Sequence, residues 1–338
     1  MTHYTQSDIA KKLNVTRITV SKALRNHPDI STKMKRKVLD AAEELGYIPN
    51  LIAQSLTSNR TLTLGVVVPD LENSFFAYIA DSIIDTASGN NYNVFVTVSR
   101  EKQQSEKLNI QKLIGMRVDG LLVCVSQQTE DPQIFNYIKK LNVPLVFFDR
   151  RFEGLKFPSI TYDDRKGAVA ALNQIIQNGY TKIAHFAGYS SVSIGKERCL
   201  GYKDALESKG IKIEPQWIIE GGFEIKDGYN SFMELYKTKN IPEIVFTAND
   251  RVASGVYKAA QEKGIKVPDD IGILAYGFKE TSQNFSPSLS IINQDPRKIG
   301  MAAAEHIIKM IKNPNVRKTD NIVIEEEFIW NDSIIKKS

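Results

Sequence analysis

The chain has 338 residues, enough for two or three domains, and its 42% hydrophobic and 25% charged residues give the balance of a globular chain, not a disordered one. No stretch approaches the ~18 uninterrupted apolar residues of a membrane span, and the N-terminal MTHYTQSDIAKK lacks the apolar core of a secretory signal, so a cytoplasmic protein without membrane attachment is expected. The net charge of +5 is concentrated: the first sixty residues hold ten Lys or Arg against five Asp or Glu, leaving 34 of each sign in the rest, which marks the N-terminal segment as the part that meets a polyanion.

Within that segment, Thr5 followed by Asp8 is a helix start. The apolar residues Ile9, Ala10, Leu13, Val15, Val20, Ala23 and Leu24 close a small core if two short helices are separated by a turn near Asn14. Thr16 can cap the second helix, whose outward residues are then Arg17, Ile18, Ser21, Lys22 and Arg25. Hydroxyls and cations for phosphates, with longer side chains for base edges, are what a helix needs in a DNA major groove. HPDIS then makes a turn, and Ser31 caps a third helix from about Thr32 to Leu45, stopped by Gly46. After Pro49, Asn50 to Leu56 allows two turns of helix at most, too short to persist alone in water.

From Leu62 onward, apolar strands (LGVVVPD, NVFVTVS, DGLLVCV, PLVFFD, KIAHFAG, EIVFTAND, IGILAYG) alternate with amphipathic helical stretches. That alternation predicts parallel sheets covered by helices on both faces. The series falls into two similar groups before and after about Tyr162, hence two lobes with a cleft between them, and ligands of such sheets bind at the carboxyl ends of the strands. The fold class expected is therefore an α/β core of two parallel-sheet lobes plus a small all-α helix-turn-helix N-terminal domain. Cys124 and Cys199 read as free buried thiols.

Enzyme chemistry has little to stand on. GYSSVSIGKE has the wrong spacing for a phosphate loop, no GxGxxG follows a strand, neither HExxH nor CxxC occurs, and the four histidines are scattered. No catalytic residue, metal or cofactor is expected. A solute receptor of a transporter would share the two lobes but has no use for a basic head.

The order of parts resembles the lactose-repressor (LacI/GalR) family of bacterial transcription regulators along essentially the full chain, most specifically in NVTRITVSKALRN at 14–26, ELGYIPNLIAQSLTS at 44–58 and TANDRVASG at 247–255. The resemblance implies a helix-turn-helix head (1–47), a hinge helix and linker (48–61) and a periplasmic-binding-protein-like core (62–338). Lobe 1 would be about 62–161 plus 293–322, and lobe 2 about 162–292 plus 323–338. It further implies a repressor acting as a homodimer on pseudo-palindromic double-stranded operator DNA, controlled by a small-molecule effector, a sugar or sugar derivative. The C-terminal IIKKS carries no heptad tail, which favours a dimer over a tetramer.

Carried over by position, Arg17 and Ile18 read bases, Thr16, Thr19 and Ser21 contact phosphate, and Leu56 with Ala53 wedges the minor groove. Lys22 stands where many relatives have Arg and cannot make arginine's two-pronged contact. Phe75, Phe76, Asp149, Arg198, Phe223, Asn249 and Asp250 match effector-contacting positions, and Gln294, where the chain should cross back between lobes, is expected to touch either ligand or hinge. Gly277 replaces a usual sugar-contacting aspartate, and with Arg150, Lys196 and Arg198 nearby this leans toward an altered or anionic sugar.

Overall fold

The computed structural model describes residues 4–48, 60–313 and 321–337. The chain divides into two compact units between Thr61 and Leu62. In the first, α1 (Gln6–Leu13), α2 (Arg17–Leu24) and α3 (Thr32–Glu44) are each started by a side chain and stopped by local backbone geometry. The Asp8 carboxylate accepts from both the N–H and the hydroxyl of Thr5, each at 2.8 Å. Thr16 accepts from the Thr19 N–H at 3.1 Å, and Ser31 from that of Met34 at 3.3 Å. Asn14 (φ 52°) and Gly46 (φ 64°) turn the chain left-handed at the ends of α1 and α3. Ile9, Val20 and Val38 are fully buried among four alanines, so the head has a very small core. At about 1.5–3 kcal/mol per buried aliphatic side chain, such a core leaves little reserve against chain entropy.

The second unit begins with β1 (Thr63–Val68), α4 (Ser74–Gly89), β2 (Asn93–Val98), α5 (Gln103–Gly115), β3 (Gly120–Val123), α6 (Gln133–Leu141), β4 (Leu145–Phe148) and β5 (Ser159–Tyr162). It continues with α7 (Asp164–Gln177), β6 (Ile183–Ala187), α8 (Ser193–Ser208), β7 (Ile218–Glu220), α9 (Ile225–Lys237), β8 (Ile244–Thr247), α10 (Asp250–Glu262), β9 (Gly272–Gly277), α11 (Lys279–Ser282) and β10 (Ser290–Asn293). It closes with α12 (Pro296–Lys312), β11 (Asn321–Ile324) and β12 (Glu327–Ile329). One six-stranded sheet runs β11-β5-β4-β3-β1-β2 and the other β12-β10-β9-β8-β6-β7. All pairings are parallel except β10 with β12. Every residue of β1 is buried, as expected of a strand with helices on both faces. Each sheet has an apolar cluster on either side, and α12 supplies Ile299, Ala303, Ala304 and Ile307 to the first lobe. His185 is a core residue of β6, with the rings of Phe246 and Tyr202 at 4.6 and 5.3 Å.

The chain crosses between lobes three times: after Tyr162, after Asn293 and between β11 and β12. The third crossing corrects the expected boundary at 322, because β11 keeps its pairing with β5 through Ile324↔Tyr162. The crossings are tied together, with Tyr162 Oη donating to the Asp295 carbonyl at 2.7 Å. Cys124 is buried while Cys199 is only half-buried, and neither is bridged.

Candidate functional site

On the head, α2 presents Arg17, Ile18 and Arg25 to solvent, with Thr19, Ser21 and Lys22 half-buried beside them. Ile18 is 70% exposed, an apolar side chain with no intramolecular reason to point outward. The hydroxyls of Thr16 and Thr19 lie 2.9 Å apart and hold each other, so the two predicted phosphate contacts form one hydroxyl pair at the start of α2. Lys22 donates to Asp29 at 2.8 Å, an internal partner that the helical pattern did not reveal. Ala53 and Leu56 lie outside the described residues.

In the core, a cleft partly open to solvent collects all eight predicted effector residues: Phe75, Phe76, Asp149, Arg198, Phe223, Asn249, Asp250 and Gln294. The fold explains the convergence. Asp149 follows β4, Asn249 caps α10 immediately after β8, Phe75 and Phe76 open α4 after β1, and Gln294 follows β10, so each stands at the carboxyl end of a strand. Asp149 holds a left-handed backbone (φ 59°), unusual for a non-glycine residue and the kind of strain that gathers at binding sites. Sequence reasoning missed Asn73, Ile194 and Phe278 in the lining, although Asn73 and Phe278 also follow strand ends and the same rule finds them.

Hydrogen bonding divides the lining into committed and available groups. Arg198 is spent on Asp164 (2.7 Å), the Ala248 carbonyl (2.5 Å) and Gln294 (3.0 Å), while its guanidinium lies 3.9 Å from the Tyr276 ring. Asn249 donates to the Phe223 carbonyl at 3.0 Å and accepts from Val252 N–H at 2.8 Å. Gln294 donates to Asp164 at 3.0 Å and to Glu326. Arg150, previously only a nearby cation, lines the cleft itself: its Nη1 is bidentate on Glu101 (2.8 and 3.0 Å), and its guanidinium sits 5.5 Å from Phe76 of lobe 1 and 5.3 Å from Phe223 of lobe 2. Its Nε has no hydrogen-bond partner and faces Asp149 Oδ2 at 3.7 Å. Burial pushes the carboxyls of Asp149 and Asp250 above the ordinary range, and Asp250 accepts from the Thr281 hydroxyl at 2.7 Å.

The cations that suggested an anionic ligand all have carboxylate partners in the structure. Arg150 and Arg198 each carry their own carboxylate, and Lys196 is paired with Glu153 at 3.1 Å. Arg251 likewise reaches from α10 to Asp70 of lobe 1 at 3.4 Å. Among the described residues no cluster of His, Cys, Asp or Glu could hold a metal ion, and no helix is long and apolar enough to cross a membrane.

A three-helix head with a cationic second helix, joined to two lobes that meet over a cleft, defines an effector-controlled DNA-binding regulator. Residues 5–50 match the family model for bacterial regulatory proteins of the lacI family, and residues 61–332 match periplasmic binding proteins and the sugar binding domain of the LacI family. The chain belongs to the LacI family of transcriptional regulators. It is 31% identical over 333 residues, 98% of both chains, to "Probable HTH-type transcriptional repressor ExuR" of Bacillus subtilis (strain 168). It is also 31% identical over 330 residues, 98% of both, to the ribose operon repressor of Haemophilus influenzae. In structure it is similar to the lac repressor dimer bound to operator and the anti-inducer ONPF, with a TM-score of 0.88 and 26% identity over 98% of this chain and 99% of that one.

Proposed function

We propose that the chain is a non-enzymatic, cytoplasmic homodimeric repressor that sets two copies of α2 into a pseudo-palindromic operator and is controlled by a neutral polyhydroxylated effector, a sugar, held between the lobes. Arg17 and Ile18 read base edges, Thr16, Thr19 and Ser21 lie against phosphates, and Leu56 with Ala53 enters the minor groove at the operator centre. The observation that carries the effector assignment is the unpartnered Nε of Arg150 facing Asp149 Oδ2 at 3.7 Å. That gap is too long for a direct hydrogen bond, and Nε is sealed from solvent here, so a ligand hydroxyl that accepts from Nε and donates to the carboxylate enters as the lobes move. Asp250 offers a second acceptor, and Phe75, Phe76 and Phe223 supply apolar walls for a ring. An anionic group placed there would face Asp149 and Asp250, with both arginines already neutralised by Glu101 and Asp164. Effector binding shifts how the lobes close, and by linkage operator DNA changes effector affinity by the same factor.

Thermal-shift measurements on the full chain test this, comparing neutral pentoses and hexoses with the same sugars carrying a carboxylate or phosphate. A neutral sugar at about a hundred times its Kd adds about 2.7 kcal/mol to stability and raises the Tm accordingly. Stabilisation by the acidic sugars alone would overturn the assignment.

A further inference from the structure

Lys22 lies in the last turn of α2, one helical turn beyond the exposed Ile18 and on the same face. Its ammonium donates to Asp29 Oδ2 at 2.8 Å, and Asp29 stands in the turn that follows α2 with its side chain 58% exposed. His27 Nδ1 lies 3.3 Å from that carboxylate oxygen and accepts from the Asp29 N–H, also at 3.3 Å, which fixes the turn. An exposed ion pair of this kind contributes little to stability. A carboxylate on a face that meets phosphates lowers affinity for DNA of any sequence. Neither head stability nor general DNA affinity therefore accounts for the pair.

We propose that Lys22 and Asp29 act as one base-pair reader, with the ammonium donating to guanine O6 or N7 and the carboxylate accepting from cytosine N4, so that the operator carries a G·C pair beneath them and Asp29 is a specificity-determining residue. The inference rests on α2 being the DNA-reading helix. A lysine ammonium has three donors. One is held by Asp29, which directs an otherwise flexible point charge, and the others are left to meet an acceptor on the guanine edge as a single contact. The second carboxylate oxygen is left to meet the amino group of the paired cytosine, and that group is the donor only a G·C pair offers next to guanine O6 in the major groove. The hydrogen bond from Lys22 holds the Asp29 carboxyl below the usual carboxylate range, so it stays an acceptor at neutral pH.

The test is selection of binding sites from a random-duplex library by the full-length protein, followed by affinities for the selected operator, its single-pair variants and a random duplex. The parent should enrich one G·C pair in each half-site whose replacement by A·T loses about tenfold to a hundredfold in affinity, and Lys22→Ala should abolish the preference at that same pair. Asp29→Ala should lower the discrimination at that pair alone by about tenfold or more, while affinity for random duplex rises because a carboxylate has left the interface. A structural role for Asp29 would instead weaken specific and random binding together, and that outcome overturns the proposal, as does an unchanged preference in Asp29→Ala. Failure of the parent to enrich any site would refute the DNA-reading assignment itself, a result distinct from either.

Discussion

Arg150 is the residue on which the proposed effector site turns. Its Nη1 holds Glu101, whose other duty is to accept from the Gln127 N–H at 2.7 Å, so removing the whole side chain would strand a partly buried carboxylate and loosen a loop of lobe 1. Arg150→Lys separates the two roles, because lysine keeps a charge for Glu101 but has no donor at the position of Nε. A hydrogen bond from a charged donor contributes roughly 1.5–3 kcal/mol, so the variant should bind the effector about tenfold to a hundredfold more weakly. Isothermal titration gives the affinity, and the unliganded Tm should move far less than effector binding does. Equal losses in both would mean that Arg150 only braces the fold. Asp149, its neighbour, was readable from its place after an apolar strand. The role of Arg150 was not, since its partner Glu101 lies 49 residues away in sequence and nothing local announces that pairing.

At the scale of elements, the cleft depends on how closely α9 and α10 approach. A Cβ at Gly228 would lie 1.9 Å from the Val252 carbonyl oxygen, and one at Gly255 would lie 2.0 Å from that of Ile225. Both obstacles are backbone, so no side chain can swing aside, and the helices must separate to admit even a methyl group. Gly255→Ala should destabilise the core by about 3 kcal/mol or somewhat more, visible as a lower urea midpoint. Because α10 carries Asn249 and Asp250 into the cleft, effector affinity should fall with it; an unaltered midpoint would show that the two helices have room to spare. TANDRVASG was legible as a motif, yet the reason for its glycine needed the crossing helix. Long periodic helices and continuous apolar strands such as β1 could be read from the residues, because burial on both faces leaves an unbroken apolar run. The three- and four-residue strands β5, β7, β10, β11 and β12 could not. They are too short to show a period, and β11, with three exposed residues, owes its conformation to pairing with β5 from more than 150 residues upstream.

For the whole molecule, the lobes share one buried polar node in which each crossing takes part. Asp164 follows the first, Gln294 the second and Glu326 lies on the third, with Arg198 bonded to both Asp164 and Gln294. Glu326 Oε1 accepts from Gln294, whereas its Oε2 is buried without a partner. Burial, and next the charge of Asp164, push the Glu326 carboxyl up from its ordinary 4.5 to about 8. In the folded core the group is therefore protonated at neutral pH, and unfolding releases that proton. The sign follows: the contribution of Glu326 to stability is fully present below about pH 4.5 and is lost as pH rises through about 8. His185 acts in the opposite sense. Burial lowers it to about 4, so its contribution is present above its ordinary 6.5 and lost as pH falls. Glu326→Gln keeps an acceptor for Gln294 and cannot ionise, whereas His185, Asp149 and Asp250 are common to both proteins and cancel in a comparison. The Tm of Glu326→Gln minus that of the parent should therefore grow steadily more positive between about pH 5 and about pH 8 and level off above that. A difference that stays flat across that range would show that Glu326 carries no proton in the folded core and that the node is held by Asp164, Arg198 and Gln294 alone.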